Sequence, residues 1–388
     1  MKIFNKSEWK KVKLGDICEV ITGNTPSKKI KEYWDKDEVP FITPPELKYE
    51  GINYITPSIF VSKIGAKQGR IISKNSICVC CIGSLGKLGI LKDDAITNQQ
   101  INSLILKDKN IDLLYLYFYL KTTKNNLEAM ASSTTVKIIN KSSFEKIEIK
   151  LPDIRIQKKI SKKLEILENN INFRKKQLTY LKELNKSLFT RMFGDPLTND
   201  RIEWKFSKIK NIGKIISGST PNTNTPELWN GDYLWITPAE LKDDSFIVNS
   251  TERKLTYLGI KNSSLIEMPI GTVLLSSRAP IGKVAIVGKN MFCNQGFKNI
   301  IPNEEINSIY LYYILKEKKE YLNFLGRGAT FKELSKEIVE NISLKIPPIE
   351  LQNKFAERVE KIEKLKFTIW KIILKVYETL KKKGVESN

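Results

Sequence analysis

Apolar residues follow two different rhythms along this chain, and the pair of rhythms occurs twice. From Asp153 to Phe193 there is neither proline nor glycine, and Ile160, Leu164, Leu167, Ile171, Leu178, Leu181 and Leu188 keep the seven-residue repeat of a coiled-coil seam. Arg174 and Asn185 interrupt that stripe. Beyond Pro348 the same pattern returns in Leu351, Phe355, Val359, Ile362, Ile369, Ile373, Val376 and Leu380. Both stretches are predicted as long helices, and Gly194-Asp195-Pro196 supplies a stop for the first. A leucine stripe left in water is costly, so each helix is expected to cover the other, antiparallel, because the intervening segment must lie between them in sequence. A helix of about 39 residues would form a rod of roughly 60 Å. A coiled-coil dimerisation stalk would show the same seam.

The segments before the helices have the other rhythm. Short runs such as FITP, ICVCCIG and INSLIL, and later YLWITP, TVLLSS and FKNIIP, are separated by Gly, Pro, Asn and Ser and read as strands. Helical stretches lie among them at IDLLYLYFYLKTT and INSIYLYYILKEKKEYLNFL. Mixed signals of this kind predict α+β domains.

The two halves are copies. Trp9 to Pro26 lies over Trp204 to Pro221 at an offset of 195, with eight of eighteen positions identical. Trp34 then meets Trp229, FITPPELK (Phe41 to Lys48) meets WITPAELK (Trp235 to Lys242), and Gly65 and Lys67 meet Gly259 and Lys261. Gly86-Lys87 meets Gly282-Lys283, Asn98-Gln99 meets Asn294-Gln295, and Thr135, Lys137 and Pro152 meet Thr330, Lys332 and Pro347. That period is too long for a solenoid, so each copy is a domain with its own core. Divergence concentrates in Lys48 to Ser76 against Lys242 to Gly271.

Charge narrows the partner. Lysine and arginine number 65 against 43 acids, a net charge of +22, which repels itself unless a polyanion is near. Nucleic acid is the leading partner, since no uninterrupted apolar run is long enough to span a bilayer. The opening MKIFNKSEWKKVKL lacks the apolar core of a signal peptide, and a cytoplasmic protein is expected. The chain has no histidine, which removes Ser-His-Asp, Cys-His and H-E-x-x-H chemistry. Cys18, Cys78, Cys80, Cys81 and Cys293 form no C-x-x-C pair, and the trio in ICVCCIG reads as a buried strand in which cysteine is a small hydrophobe. Neither a metal nor a cofactor site is expected.

With G-x-T-P near the start of each copy, I-T-P-x-E-L-K after a tryptophan, and G-K followed by N-Q, the chain resembles the specificity subunits of Type I restriction-modification systems. The junctions LPDIRIQKKISKKL and IPPIELQNKFAERV, and the helix ending SLFTRMFGD, carry the resemblance furthest. It implies two related α+β target recognition domains joined by two long antiparallel coiled-coil helices, with an internal pseudo-twofold repeat. The expected boundaries are 1–152 and 196–347 for the domains, and 153–195 and 348–388 for the spacer helices. The resemblance also implies a non-catalytic subunit that binds a bipartite asymmetric site in double-stranded DNA. Two methyltransferase (modification) subunits and restriction/translocase subunits would be its partners.

Candidate DNA contacts follow from the shared motifs. Thr25 and Thr220 lie in G-x-T-P, where backbone amides and a hydroxyl can meet phosphate or simply form a turn. Lys87 and Lys283 follow a core strand and suit a DNA-facing loop, although a solvated lysine is the ordinary reading. The matched Lys137 and Lys332 join them. Arg278 and Arg327 are favoured because guanidinium pairs bidentately with phosphate or guanine, and the first copy lacks arginine at both places. Asn98-Gln99 and Asn294-Gln295 can read adenine, but a pair common to both copies suits a structural amide network better.

Two other functions fit less well. Asp37 with Glu46-x-Lys48 and Asp232 with Glu240-x-Lys242 match an Asp…Glu-x-Lys nuclease, which would hold magnesium, yet Pro44 and Pro238 stand where that site needs a continuous strand. A protein scaffold that never touches DNA would have no need of the charge.

Overall fold

The computed structural model describes residues 9–131, 136–194, 204–263, 265–326 and 333–382. They form two compact units, one of residues 1–178 with 368–388 and the other of 179–367, so each long helix is shared between the units.

In the first unit an antiparallel sheet runs in the order Cys18–Thr22, Ile101–Leu106, Ile77–Cys80, Leu88–Ile90. A second sheet has the order Phe60–Val61, Val39–Ile42, Ala95–Thr97, Ile71–Ile72, with the middle two strands parallel. The second unit repeats this plan. Gly213–Ile216, Asn299–Pro302, Val273–Leu275, Val284–Val287 and Ile247–Val248 make one sheet, and Arg253–Leu255, Trp229–Ile236 and Phe292–Cys293 the other. In each unit a two-stranded ribbon, Lys10–Lys13 with Glu148–Leu151 or Lys205–Lys208 with Ser343–Ile346, brings the start and end of the α+β part side by side. The α+β expectation therefore holds in both copies.

The ICVCCIG run is the core strand it resembles. Cys81 is buried in the cluster of Ile77, Val79 and Leu104, Cys78 and Cys80 in the one on the opposite face with Ile42, Ile72 and Leu91, and burial pushes the Cys78 and Cys81 thiols up to about 12, as expected of cysteines that act as hydrophobes. No cluster of metal-ligating side chains occurs among the described residues. None of their helices is long and apolar enough to cross a membrane.

The helical rhythm gives helices at Ile154–Phe193 and Ile349–Lys382. The first stops where Gly194 turns left-handed at φ 79° and its N–H closes on the Thr190 carbonyl; Asp195 and Pro196 lie outside the described residues. Within the second unit the two helices run antiparallel: Asn185 Nδ2 donates to Glu363 Oε1 at 2.9 Å, and further along the first helix the Phe193 ring meets that of Phe355 at 5.3 Å. Within the first unit Val376 and Tyr377 pack beside the cluster that holds Leu164 and Ile171. Asn185, which breaks the apolar stripe, is thus a buried polar contact between the helices rather than a gap.

Candidate nucleic-acid interface

Strand register carries motifs distant in sequence to one end of each sheet. In the first unit Thr22 pairs with Asn102 and Cys80 with Ile101, while Ile42 runs parallel beside Thr97. The segments GNTP, the 81–87 loop, TPPELK and Asn98-Gln99 all lie immediately beyond those residues, so they share one rim. Asn98 N–H donates to the Ile42 carbonyl at 3.0 Å, and Asn294 N–H to the Ile236 carbonyl at 3.2 Å, which joins the same two motifs in each unit.

The G-x-T-P and N-Q motifs form a clasp. Thr25 Oγ1 donates to Gln99 Oε1 at 2.7 Å, and Thr220 Oγ1 to Gln295 Oε1 at 2.6 Å. The glycines permit it. A side chain on Gly23 would sit 2.2 Å from the Thr97 carbonyl oxygen, and one on Gly218 only 1.7 Å from that of Cys293. With the hydroxyl proton and Oε1 engaged, the exposed Gln99 and Gln295 side chains are held with their Nε2 groups turned away from the threonine.

The I-T-P-x-E-L-K glutamates have a local duty. Glu46 accepts from Thr43 N–H at 3.0 Å and Thr43 Oγ1 at 2.7 Å, and also from the Ser58 hydroxyl. Glu240 accepts from Thr237 N–H at 2.9 Å and from Glu252 N–H at 2.8 Å. The first is a capping box on a 3-10 turn, and in the second the glutamate closes the matching turn by accepting from the Thr237 backbone. Burial alone would raise the Glu46 carboxyl, but the bonds from Ser58 and Thr43 outweigh it and hold it below the ordinary carboxylate range. The Glu-x-Lys resemblance to a nuclease therefore coincides with a turn-capping pattern.

The basic residues separate into two kinds. Lys283, expected on a DNA-facing loop, is half-buried, and its ammonium donates to the Leu241 carbonyl and, at 3.5 Å, to that of Pro238. The cause is local: the turn that Glu240 caps directs carbonyls at it. Lys87 instead lies 5.6 Å from the Tyr49 ring centre, and Lys124 stands over the same ring at 4.4 Å. Lys137 is exposed, 3.6 Å from Glu128, and its carbonyl accepts from Gly83 N–H in the Gly-Lys loop. Arg278 bonds Glu333 through Nε at 3.0 Å, which leaves the rest of its guanidinium fork unused by that pair. Arg327 and Lys332 lie outside the described residues.

A family model described as the Type I restriction modification DNA specificity domain matches residues 6–183 and again residues 201–377. The chain belongs to this family. Curated relatives include the MjaIX type I restriction enzyme specificity subunit of Methanocaldococcus jannaschii, 44% identical over 157 residues, a match spanning 40% of this chain but only 36% of that protein. The MjaVIII specificity subunit of the same organism is 25% identical across 92% of this chain and 87% of its own length. In structure, the S subunit of a Type I restriction-modification system from M. genitalium superposes with a TM-score of 0.66 at 16% identity, covering 100% of this chain and 98% of that one. The shared fold is that of a specificity subunit with two target recognition domains and two long helices.

Some rim residues of this specificity-family fold carry no motif signal. Lys124 and Lys319 sit on helices yet close over the Gly-Lys turns: a side chain on Gly86 or Gly282 would meet their Cγ atoms at 3.3 and 3.2 Å. Lys319 also pairs with Asp243 at 2.8 Å. Arg70, the one arginine of residues 1–152, donates through Nη1 to the Thr22 carbonyl at 2.6 Å.

Proposed function

We propose that this chain reads a bipartite, asymmetric sequence in double-stranded DNA, one half with each unit. It would bring two methyltransferase subunits and the restriction subunits to that site while having no catalytic centre of its own. One observation carries the reading: the two rims have the same backbone but different tips. Ile82 bridges Ile138 in the first unit at the place where Arg278 bridges Glu333 in the second, and Tyr49 stands where the second unit has Asp243. Identical readers would require a palindrome, whereas differing readers on one scaffold suit two different half-sites. Lysines shared by both rims, such as Lys124 and Lys319, would supply the phosphate contacts that set position.

Partner docking is supported by apolar side chains left exposed on the long helices. Ile166, Phe173, Trp370 and Leu374 in the first unit, and Tyr180, Leu184 and Leu365 in the second, are all at least 44% exposed. The relatives are type I restriction enzyme specificity subunits, which fits that role.

The test maps methylated adenines in host DNA with and without the gene, in the presence of its modification subunits. A two-part motif that disappears on deletion is expected. Exchanging residues 204–347 for those of a relative should change one half of the motif only. An unchanged methylome from an assembled complex refutes the reading.

A further inference from the structure

Arg253 begins the edge strand Arg253–Leu255 and pairs in register with Trp235. Its guanidinium carbon lies 3.5 Å from the ring centre of Trp229 and 5.4 Å from that of Trp235, and the two indoles meet edge to face at 5.0 Å. Both rings are buried while the arginine is exposed. Each indole is also tied to the loop that carries the second G-x-T-P motif: Trp235 Nε1 donates to the Ser219 carbonyl at 3.1 Å, and Trp229 Nε1 to that of Asn222 at 3.0 Å. The arginine is therefore stacked on a fixed platform built into the same rim as Thr220 and Gln295.

Stacking has a chemical consequence. A cation over an aromatic ring uses the face of the guanidinium and leaves the N–H fork at its edge available, with its plane already set. In the first unit the matching position is Ile59, whose carbonyl accepts from Phe41 N–H at 2.9 Å, as Phe41 replaces Trp235. A phosphate contact would be useful in both units, because the DNA backbone is the same under each. A base contact should differ between them, and this one does.

We propose that Arg253 reads a guanine in the half-site of the second unit, donating its fork to O6 and N7 in the major groove. This rests on the DNA-reading role given above. The test uses the full chain assembled with its modification subunits, and compares methylated motifs for the wild type, Arg253→Ala and Arg253→Lys. The wild type should require guanine at one position of the second half. In Arg253→Ala that position should relax by tenfold or more in discrimination, with the first half unchanged. Arg253→Lys, which keeps the charge and the aliphatic stem but lacks the planar fork, should relax it as well. An unchanged motif in Arg253→Ala overturns the proposal. So does an even fall in methylation at the same motif, the mark of a phosphate contact, or full guanine selection by Arg253→Lys. If the wild type itself gives no two-part motif, the DNA-reading role fails and this inference with it, an outcome distinct from an unchanged motif in the variant.

Discussion

Gln157 and Gln352 occupy equivalent places in the two copies and make the same three hydrogen bonds. Each Oε1 accepts a backbone N–H at 2.9 Å, from Asp112 or Asn307, and each Nε2 donates to two carbonyls, those of Asn110 and Pro152 or of Glu305 and Pro347. Asp112 and Asn307 are themselves the N-caps of Leu113–Lys121 and Ser308–Glu317. One buried amide thus ties the first turns of a long helix to the capped end of a domain helix. The junctions IRIQ and IELQ, which carry much of the family resemblance, are this fastening.

Gln157→Ala or Gln352→Ala removes both halves of the fastening and leaves buried backbone groups unpaired. A loss on the order of 2–3 kcal/mol is expected for either variant, and of similar size for both, since the bonds are the same. Urea unfolding of the full chain measures it. Losses below about 0.5 kcal/mol would mean that water replaces the amide and the fastening is incidental.

What the sequence reveals depends on how far a feature reaches along the chain. The repeat, the strand-like runs and the helical stripe are set by local periodicity, and Leu164, Ile171, Phe355, Val359 and Ile373 are buried where that periodicity puts them. Phe189 and Phe193, among the most buried side chains of the first long helix, lie off the leucine series and meet Tyr310 and Phe355 only after folding. The rim was visible as motifs but not as chemistry. Nothing in SSRAPIGK tells that Lys283 turns inward, because the carbonyls that hold it belong to residues about 40 positions earlier. Arg253 lies in a stretch marked as divergent, yet its platform exists only once Trp235 and Arg253 pair across strands.

Lys283 and Lys124 should therefore respond differently to loss of charge. Each lysine on phosphate contributes about 0.9 to the slope of log K against log salt, so Lys124→Gln or Lys87→Gln is expected to lower that slope by roughly one. Lys283→Gln should instead destabilise the second unit and leave the slope of the remaining folded protein unchanged. Binding titrations of the assembled complex at several salt concentrations decide it; slopes equal to the parent's in Lys87→Gln and Lys124→Gln would remove those two lysines from the interface.

Glu46 gives a pH dependence with a defined sign. Its folded carboxyl titrates below its ordinary value, so the unfolded chain binds protons more readily across that interval. The stabilisation is fully present above the ordinary carboxylate pKa and is lost as pH falls through the folded value. Unfolding midpoints followed from neutral to acid pH should fall less steeply for Glu46→Gln than for the parent. An unaltered acid profile would show that the capping box carries no net charge preference.

The Thr25–Gln99 clasp separates two ways in which a threonine near DNA can act. If the hydroxyl meets phosphate itself, its loss and the loss of Gln99 should be independent. If its role is to hold Gln99 Oε1, so that the Nε2 group faces outward, then Thr25→Val weakens DNA binding only while the glutamine is present. Thr25→Val, Gln99→Ala and the double variant form the appropriate cycle, read as DNA affinity of the assembled complex. The geometry at 2.7 Å leads us to expect a coupling of about 0.5–1.5 kcal/mol, with Thr25→Val nearly silent in the Gln99→Ala background. Thr220 and Gln295 should repeat the result, because their bond is the same. Strict additivity at both clasps would return the threonines to direct phosphate contact.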